Sequence, residues 1–294
     1  MQALAIAVLL GVVLAFFSER FQHALHSALR DRPVLVFAAP LALTALFCSA
    51  AAAAGALGLP LALLALGYTL LPTLCAYRLG TGPVKVPAAA DFLTVALLWL
   101  PLEGAAGASL VPRPAQGFLH SVAYGIAIVL ALVLFAGFRG LPGMKCFPPR
   151  RGRDILLPLA GFAAAAPVLA AAGLALGFLP GPHLPAHPEP ARMAARFALI
   201  FIATALPEEL LFRSLVQNLL MLRFGFTNRV LLAAAAVFGC AHLNNGPQAL
   251  PNWRYAIVAA IAGFAFGKVF QKAGTVLSPA ACHALVNTVK AFFF

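Results

Sequence analysis

Three ionisable side chains, Glu208, Glu209 and Arg213, stand within six residues of one another in the apolar segment LPEELLFRSL, residues 206–215. A charged side chain at the centre of a membrane-spanning helix costs about 2.5–3.5 kcal/mol on insertion scales. Glu209 and Arg213 are four residues apart, so they share a helix face and can form an ion pair. Glu208 is turned about 100° from Glu209 by the helix period. That pairing does not account for Glu208, which therefore calls for a chemical role.

Three further polar side chains interrupt the apolar sequence that follows. His242 ends the run VLLAAAAVFGCAH, and His283 and Asn287 lie four residues apart in SPAACHALVNT, on one helix face. A carboxylate can activate water as a general base, and an imidazole can hold the same water. A second imidazole and an amide N–H₂ can donate to the oxyanion of a tetrahedral intermediate. These residue types predict peptide hydrolysis without a serine or cysteine nucleophile.

The composition indicates that these residues lie in a membrane protein. Hydrophobic residues make up 63% of the 294-residue chain and charged residues 10%, against about 45–50% and about 25% in soluble domains. The net charge of +12 comes from basic residues that lie between apolar segments, as membrane topology requires. We therefore expect the lipid bilayer, and no nucleic acid, as a partner. The five cysteines form no CxxC pair, which argues against a disulfide framework or a zinc ribbon.

Apolar segments long enough to approach the thickness of a bilayer recur along the whole chain. They predict an all-α polytopic membrane bundle with about eight to ten transmembrane helices. Two of the segments, 88–104 and 229–244, are short enough to be re-entrant or interfacial. The predicted segments are 2–18, 34–55, 57–77, 88–104, 118–138, 155–180, 193–222, 229–244, 254–271 and 276–293.

Two loops and one small-residue pair complete the predicted organisation. The stretch PGPHLPAHPEP, 180–190, is typical of a linker, and it divides an N-terminal transmembrane region, 1–187, from a C-terminal protease core, 188–294. The basic loop 139–154 is typical of a topology anchor beside an anionic leaflet. Gly263 and Gly267 are spaced as in a close helix-packing face.

The polar residues resemble the motifs of a known family. The CPBP family of intramembrane glutamic endopeptidases, also called the ABI or CAAX-protease family, carries EExxxR, FxxxH and HxxxN on three separate membrane helices. The resemblance covers roughly residues 190–294, in the family's order. The matching residues are Glu208, Glu209 and Arg213 in the first motif, Phe238 and His242 in the second, and His283 and Asn287 in the third.

The resemblance implies a role for each motif residue and no metal or cofactor. Glu208 would be the general base, His242 would help to position the attacking water, and His283 and Asn287 would form the oxyanion hole. The remaining residues would shape and support the site, with Glu209 also assisting proton transfer: Glu209, Arg213 and Phe238.

The implied substrate is a membrane-associated protein or peptide that is cut near its C-terminus or membrane anchor. The dominance of alanine and leucine, and the excess of arginine over lysine, favour a bacterial source. We therefore expect an integral protein of the bacterial inner (plasma) membrane.

Two other functions are compatible with the same residues. Intramembrane Glu, His and Arg also mark ion pathways, which would suit a proton-coupled transporter, although such proteins commonly show internal repeats and none is visible here. A zinc-dependent membrane protease could use Glu208, His242 and His283 as ligands, although the HExxH motif is absent.

The expected depths of two site residues differ. Glu208 is predicted in the middle of its span and His242 near the outer end of another. The two can meet only if the segment 229–244 is tilted or re-entrant, or if the predicted boundaries of the segments are wrong.

Overall fold

The structure, a computed structural model, describes residues 1–103, 118–184, 189–246 and 249–294, and these residues are helical with no strand. The eighth helix, over residues 190–224, is continuous and contains two π-helical stretches, Phe201–Ala205 and Leu210–Gln217. The described part contains eleven helices: α1 (Gln2–Ala15), α2 (Glu19–Asp31), α3 (Ala38–Ala53), α4 (Leu59–Leu79), α5 (Ala89–Glu103), α6 (Leu119–Leu132), α7 (Gly152–Ala175), α8 (190–224), α9 (Asn228–Cys240), α10 (Trp253–Lys272) and α11 (Leu277–Phe293).

The all-α fold is confirmed, and each of the ten predicted segments contains a helix. The additional helix is α2, which turns 92° from α1. The Ser18 side chain caps α2 by accepting a hydrogen bond from the Phe21 N–H. The apolar segments do not predict α2, because polar residues are interspersed with apolar ones along its sequence ERFQHALHSALRD. Such a mixture is typical of surface helices.

Within the described residues, five helices are long and apolar enough to cross a membrane, or six if α1 and α2 form one bent span. This count is lower than the predicted eight to ten for two reasons. Helices α9 and α11 have 13 and 17 residues, fewer than the about 20 that a full crossing needs, and the described part of α5 has 15. Helix α8 is long enough, but Glu208, Glu209 and Arg213 interrupt its apolar sequence.

The contacts within the chain define two compact units, Met1–Gly143 and Met144–Phe294. The boundary predicted between 1–187 and 188–294 falls at residues outside the described part and stays a prediction. In the first unit, α6 is the most buried helix. Arg139, beyond its end, forms a buried ion pair with Asp91 at 3.0 Å and donates to the carbonyls of Leu79 and Gly80. A buried charge needs such partners, so this pair ties α4 and α5 to the end of α6.

Glycines allow α9 and α10 of the second unit to pack closely. A Cβ atom on Gly239 of α9 would lie 2.5 Å from the Ala256 carbonyl oxygen of α10, and one on Gly263 would lie 2.9 Å from the Phe238 ring. Gly267 similarly faces Leu231 and Gln217. The predicted packing role of Gly263 and Gly267 agrees with these contacts, and it brings Phe238 close to α10.

The loop before α7 is bound to the turn before α11. The Lys145 ammonium donates to the carbonyls of Phe270, at 2.5 Å, and Ala273, at 2.8 Å, where a cation satisfies the carbonyls at a helix end. Burial, together with the neighbouring Arg153 charge, lowers the pKa of Lys145. The Asp154 carboxylate accepts from the Gly274 N–H at 2.7 Å. These bonds fix the start of α11, which carries His283 and Asn287.

We expect Gly239→Ala to lower the thermal unfolding midpoint in detergent. Its new methyl group would meet the Ala256 backbone, which cannot move aside as a flexible side chain can, and such overpacking costs about 1–3 kcal/mol. Gly152→Ala is the matched control, because nothing lies within 4 Å of its added Cβ. Scans at one fixed rate would compare the variants. Equal midpoints for Gly239→Ala and the wild type would contradict the close packing.

Candidate active site

Helix α8 carries the two glutamates and the arginine on an irregular helical backbone. Pro207 lacks the N–H that would bond to the carbonyl four residues earlier, and the π-helical stretch Phe201–Ala205 covers that turn. A second π-helical stretch, Leu210–Gln217, follows the glutamates at once. Widened turns of this kind are frequent at functional sites. Here they flank the pair Glu208 and Glu209.

Glu209 and Arg213 form the ion pair that their spacing predicts. Arg213 Nε donates to Glu209 Oε2 at 2.8 Å, and both side chains are 0% exposed. The Arg213 guanidinium also lies over the Phe238 ring at 4.7 Å, where the ring face attracts a cation. The two opposite charges are therefore paired within one helix, and the Phe238 ring adds a cation–π contact to the guanidinium.

His283 stands between the two glutamates. Its Nδ1 lies 3.0 Å from Glu209 Oε1, and its Nε2 lies 3.9 Å from Glu208 Oε2. The first distance is a hydrogen bond and the second is too long for a direct one. Because an ionised carboxylate only accepts, Nδ1 carries the proton that points to Glu209. The imidazole of α11 is thus oriented by one glutamate toward the other.

The two glutamates differ in exposure. Glu209 is completely buried, whereas 28% of the Glu208 side chain is exposed. Glu209 is engaged by both Arg213 and His283. Adjacent residues of one type therefore occupy distinct environments, as expected from the 100° rotation between them.

Phe238 lies at the centre of the cluster. Its ring contacts His242 at 4.8 Å and His283 at 6.0 Å between centroids, in addition to Arg213. Phe212 meets the same ring edge to face at 4.9 Å. The phenylalanine of the FxxxH pattern therefore packs α9 against side chains of α8 and α11. These contacts explain why the position is occupied by an aromatic residue.

His242 lies in the turn that follows α9, which ends at Cys240. It is four residues beyond Phe238, so the two rings can pack against each other. The depths in the membrane that the sequence predicts for Glu208 and His242 stay predictions. His242 Nδ1 lies 2.8 Å from the Phe238 carbonyl oxygen. A carbonyl only accepts, so Nδ1 donates and Nε2 is left as an acceptor in the neutral ring.

A cavity of about 80 Å³ opens beside the histidines. His242, His283 and Asn287 line it together with Lys290, and the rest of its wall is apolar or aromatic side chains of α7, α9, α10 and α11 and of the residues that follow α7 and α11. Glu208, Glu209 and Arg213 are not among its lining residues. The cavity thus meets the cluster at His283, and Asn287 lines it one helix turn further along α11.

Three residues that the motifs did not reveal also contact the site. Tyr255 packs against His242 at 4.6 Å, and Phe266 stacks on His283 at 4.7 Å with the ring planes 18° apart. Both belong to α10, and linear spacing gives no signal for such contacts between helices. Lys290 does carry a signal, because it is seven residues after His283 and therefore lies on the same face of α11.

Two other side chains that could act as nucleophiles near the site, Ser214 and Cys146, are not activated. Ser214, next to Arg213, donates its hydroxyl to the Met144 carbonyl at 2.6 Å. Burial raises the pKa of Cys146 to about 12, whereas a reactive thiol needs a lowered pKa. All five cysteines are free. Within the described residues, no group of three or more His, Cys, Asp or Glu side chains is arranged to hold a metal ion.

Comparisons with known proteins identify the part of the chain that bears the site. No curated protein and no solved structure matched the sequence. Residues 190–289 match the family model described as "Type II CAAX prenyl endopeptidase Rce1-like". This segment runs from the start of α8 into α11 and contains all three motifs. With apolar helices long enough to span a bilayer, the chain is an integral membrane protein whose residues 190–289 belong to the Rce1-like CAAX endopeptidases of the CPBP family, a family of proteases.

Proposed function

We propose that the protein is an intramembrane glutamate-dependent endopeptidase that cuts a membrane-associated protein or peptide near its C-terminus or membrane anchor. The observation that carries the proposal is the position of His283. Its Nδ1 is hydrogen-bonded to buried Glu209, and this bond orients its Nε2 toward partly exposed Glu208. It also lines an apolar cavity suited to a membrane-derived substrate.

Glu208 is the general base. Glu209 is held by Arg213 and His283 in complete burial, so its lone pairs are engaged and water does not reach it. Glu208 retains exposure, and its carboxylate lies close enough to His283 for one water molecule to contact both. A carboxylate in this position takes a proton from water as the water oxygen attacks the peptide carbonyl.

Asn287 and His283 stabilise the oxyanion that forms. Both side chains line the cavity on successive turns of α11. The Asn287 amide supplies N–H donors, and His283 Nε2 donates in the imidazolium form, because its Nδ1 proton is already given to Glu209. Donors aimed at the developing charge act strongly in a dry site. Glu208 then returns its proton to the leaving amine, which completes the hydrolysis with water as the only co-reactant.

His242 positions the attacking water. Its Nδ1–H donates a hydrogen bond to the Phe238 carbonyl, so the neutral ring presents Nε2 as an acceptor for a hydrogen bond from water. Tyr255 and Phe238 pack on the imidazole and restrict its rotation. His242 is therefore a fixed acceptor on the cavity wall.

We expect Glu208→Gln to lower the turnover of quenched fluorescent peptides about 10²–10⁴-fold, the range for loss of a general base, while the thermal midpoint stays near that of the wild type. The assay would use a peptide library with the purified protein in nanodiscs. A chelator should leave wild-type turnover unchanged.

Three results would contradict the proposal: full activity of Glu208→Gln, loss on chelation with recovery by zinc, or proton-coupled transport in liposomes. The second would favour the zinc protease and the third the transporter.

We expect Arg213→Met to destabilise the protein strongly, because one charge removed from a buried pair leaves the other uncompensated, at a cost of about 3–5 kcal/mol. The double variant Glu209→Gln/Arg213→Met should regain much of the stability and yet remain poorly active, because His283 loses its carboxylate acceptor. Thermal midpoints and peptide turnover of the two single variants and the double variant would measure this coupling. Strictly additive losses of stability would show that the two side chains act independently.

A further inference from the structure

The cavity beside the candidate catalytic residues contains one cation that the proposed chemistry does not use. Lys290 lies on α11 seven residues beyond His283, and its side chain lines the cavity together with His283 and Asn287. Its ammonium lies over the rings of Phe178, at 4.4 Å, and Tyr255, at 4.9 Å. Among the described residues that line this cavity, Lys290 is the only one with an ammonium, guanidinium or carboxylate side chain.

No anion in the described residues balances this charge. Lys290 is partly buried, yet no carboxylate of the described chain lies within ion-pair distance of it, and its Nζ makes ring contacts rather than hydrogen bonds. A lysine near a helix end commonly extends its ammonium to water. Here the ammonium turns into an apolar cavity, where its three N–H donors remain available to a ligand.

We propose that Lys290 binds the free C-terminal carboxylate of the substrate peptide. An apolar wall with one cation complements a ligand that is apolar along its length and anionic at one end. The proposal rests on the proposed endopeptidase function and adds a specificity-determining residue to it.

The spacing along α11 relates this carboxylate site to the bond that is cut. Seven residues of α-helix rise about 10.5 Å, and His283 and Lys290 share a face because seven residues complete almost two turns. An extended peptide covers about 3.3–3.6 Å per residue. With the scissile carbonyl at His283 and Asn287, the carboxylate reaches Lys290 when about two to four residues follow the bond. The site therefore selects a chain terminus over an internal sequence.

The test measures binding separately from hydrolysis. Glu208→Gln protein in nanodiscs would be titrated with an N-terminally dansylated pentapeptide of alanine and leucine, as the free acid and as the C-terminal amide. We expect the acid to bind about 10- to 100-fold more tightly, the range for a hydrogen bond to a charged group. Lys290→Met in the same background should bind the two peptides alike, with unchanged affinity for the amide, and Lys290→Arg should keep the preference.

The amide affinity and the thermal midpoint detect a purely structural role of Lys290, because a packing defect weakens both peptides equally. If Lys290→Met does not fold, Lys290→Gln replaces it. Equal affinity of the wild-type cavity for acid and amide, retention of the preference in Lys290→Met, or no binding of the acid up to millimolar concentration would each overturn the proposal. So would tight binding of an amidated peptide with one internal glutamate, because the ligand would then be any carboxylate.

Hydrolysis by protein with Glu208 intact would be assayed on the same peptides, extended at the N-terminus. A carboxylate preference that depends on Lys290 without any hydrolysis would retain the binding site and refute the protease. Hydrolysis without a preference for the free carboxylate would support the protease and refute the carboxylate site at Lys290.

Discussion

The buried ion pair between Glu209 and Arg213 is the interaction on which the second unit depends. The two fully buried charges meet at 2.8 Å, the Phe238 ring lies against the guanidinium, and His283 is hydrogen-bonded to the carboxylate. A buried pair of this kind contributes little net stability compared with apolar packing. Its effect is to fix geometry: the pair orients His283, and the aromatic contact brings α9 to α8.

The contrast between Glu208 and Glu209 follows from this arrangement. The Glu209 carboxylate is completely buried and bonded to Arg213 and His283, whereas 28% of the Glu208 side chain is exposed. Helical rotation alone separates them, and the π-helical stretches before and after the pair adjust where each side chain emerges. A pair of identical residues can in this way supply a fixed orienting group and a reactive group at one level of the membrane.

Much of this arrangement could be predicted from the sequence because its signals are local. Apolar runs located ten of the helices, and the four-residue spacing anticipated the Glu209–Arg213 contact. Amphipathic α2 was missed because its apolar residues are interspersed with polar ones. The contacts of Tyr255 and Phe266 with the histidines, and those of Lys145 with the end of α10, were not predicted, because they join residues far apart in sequence and depend on how the helices pack. The end of α9 at Cys240 likewise depended on where a turn begins.

The local character of the Glu209–Arg213 pair bears on how the protein is made. Both charges belong to one helix, so they can neutralise each other as soon as α8 forms, before α9, α10 and α11 have been synthesised. The bonds from Lys145 and Asp154 to the turn before α11 join residues that are 120 or more positions apart and can form only when synthesis is nearly complete. Insertion of α8 thus precedes completion of the site, and the nascent chain carries its glutamates into the membrane before the imidazole of His283 has been synthesised.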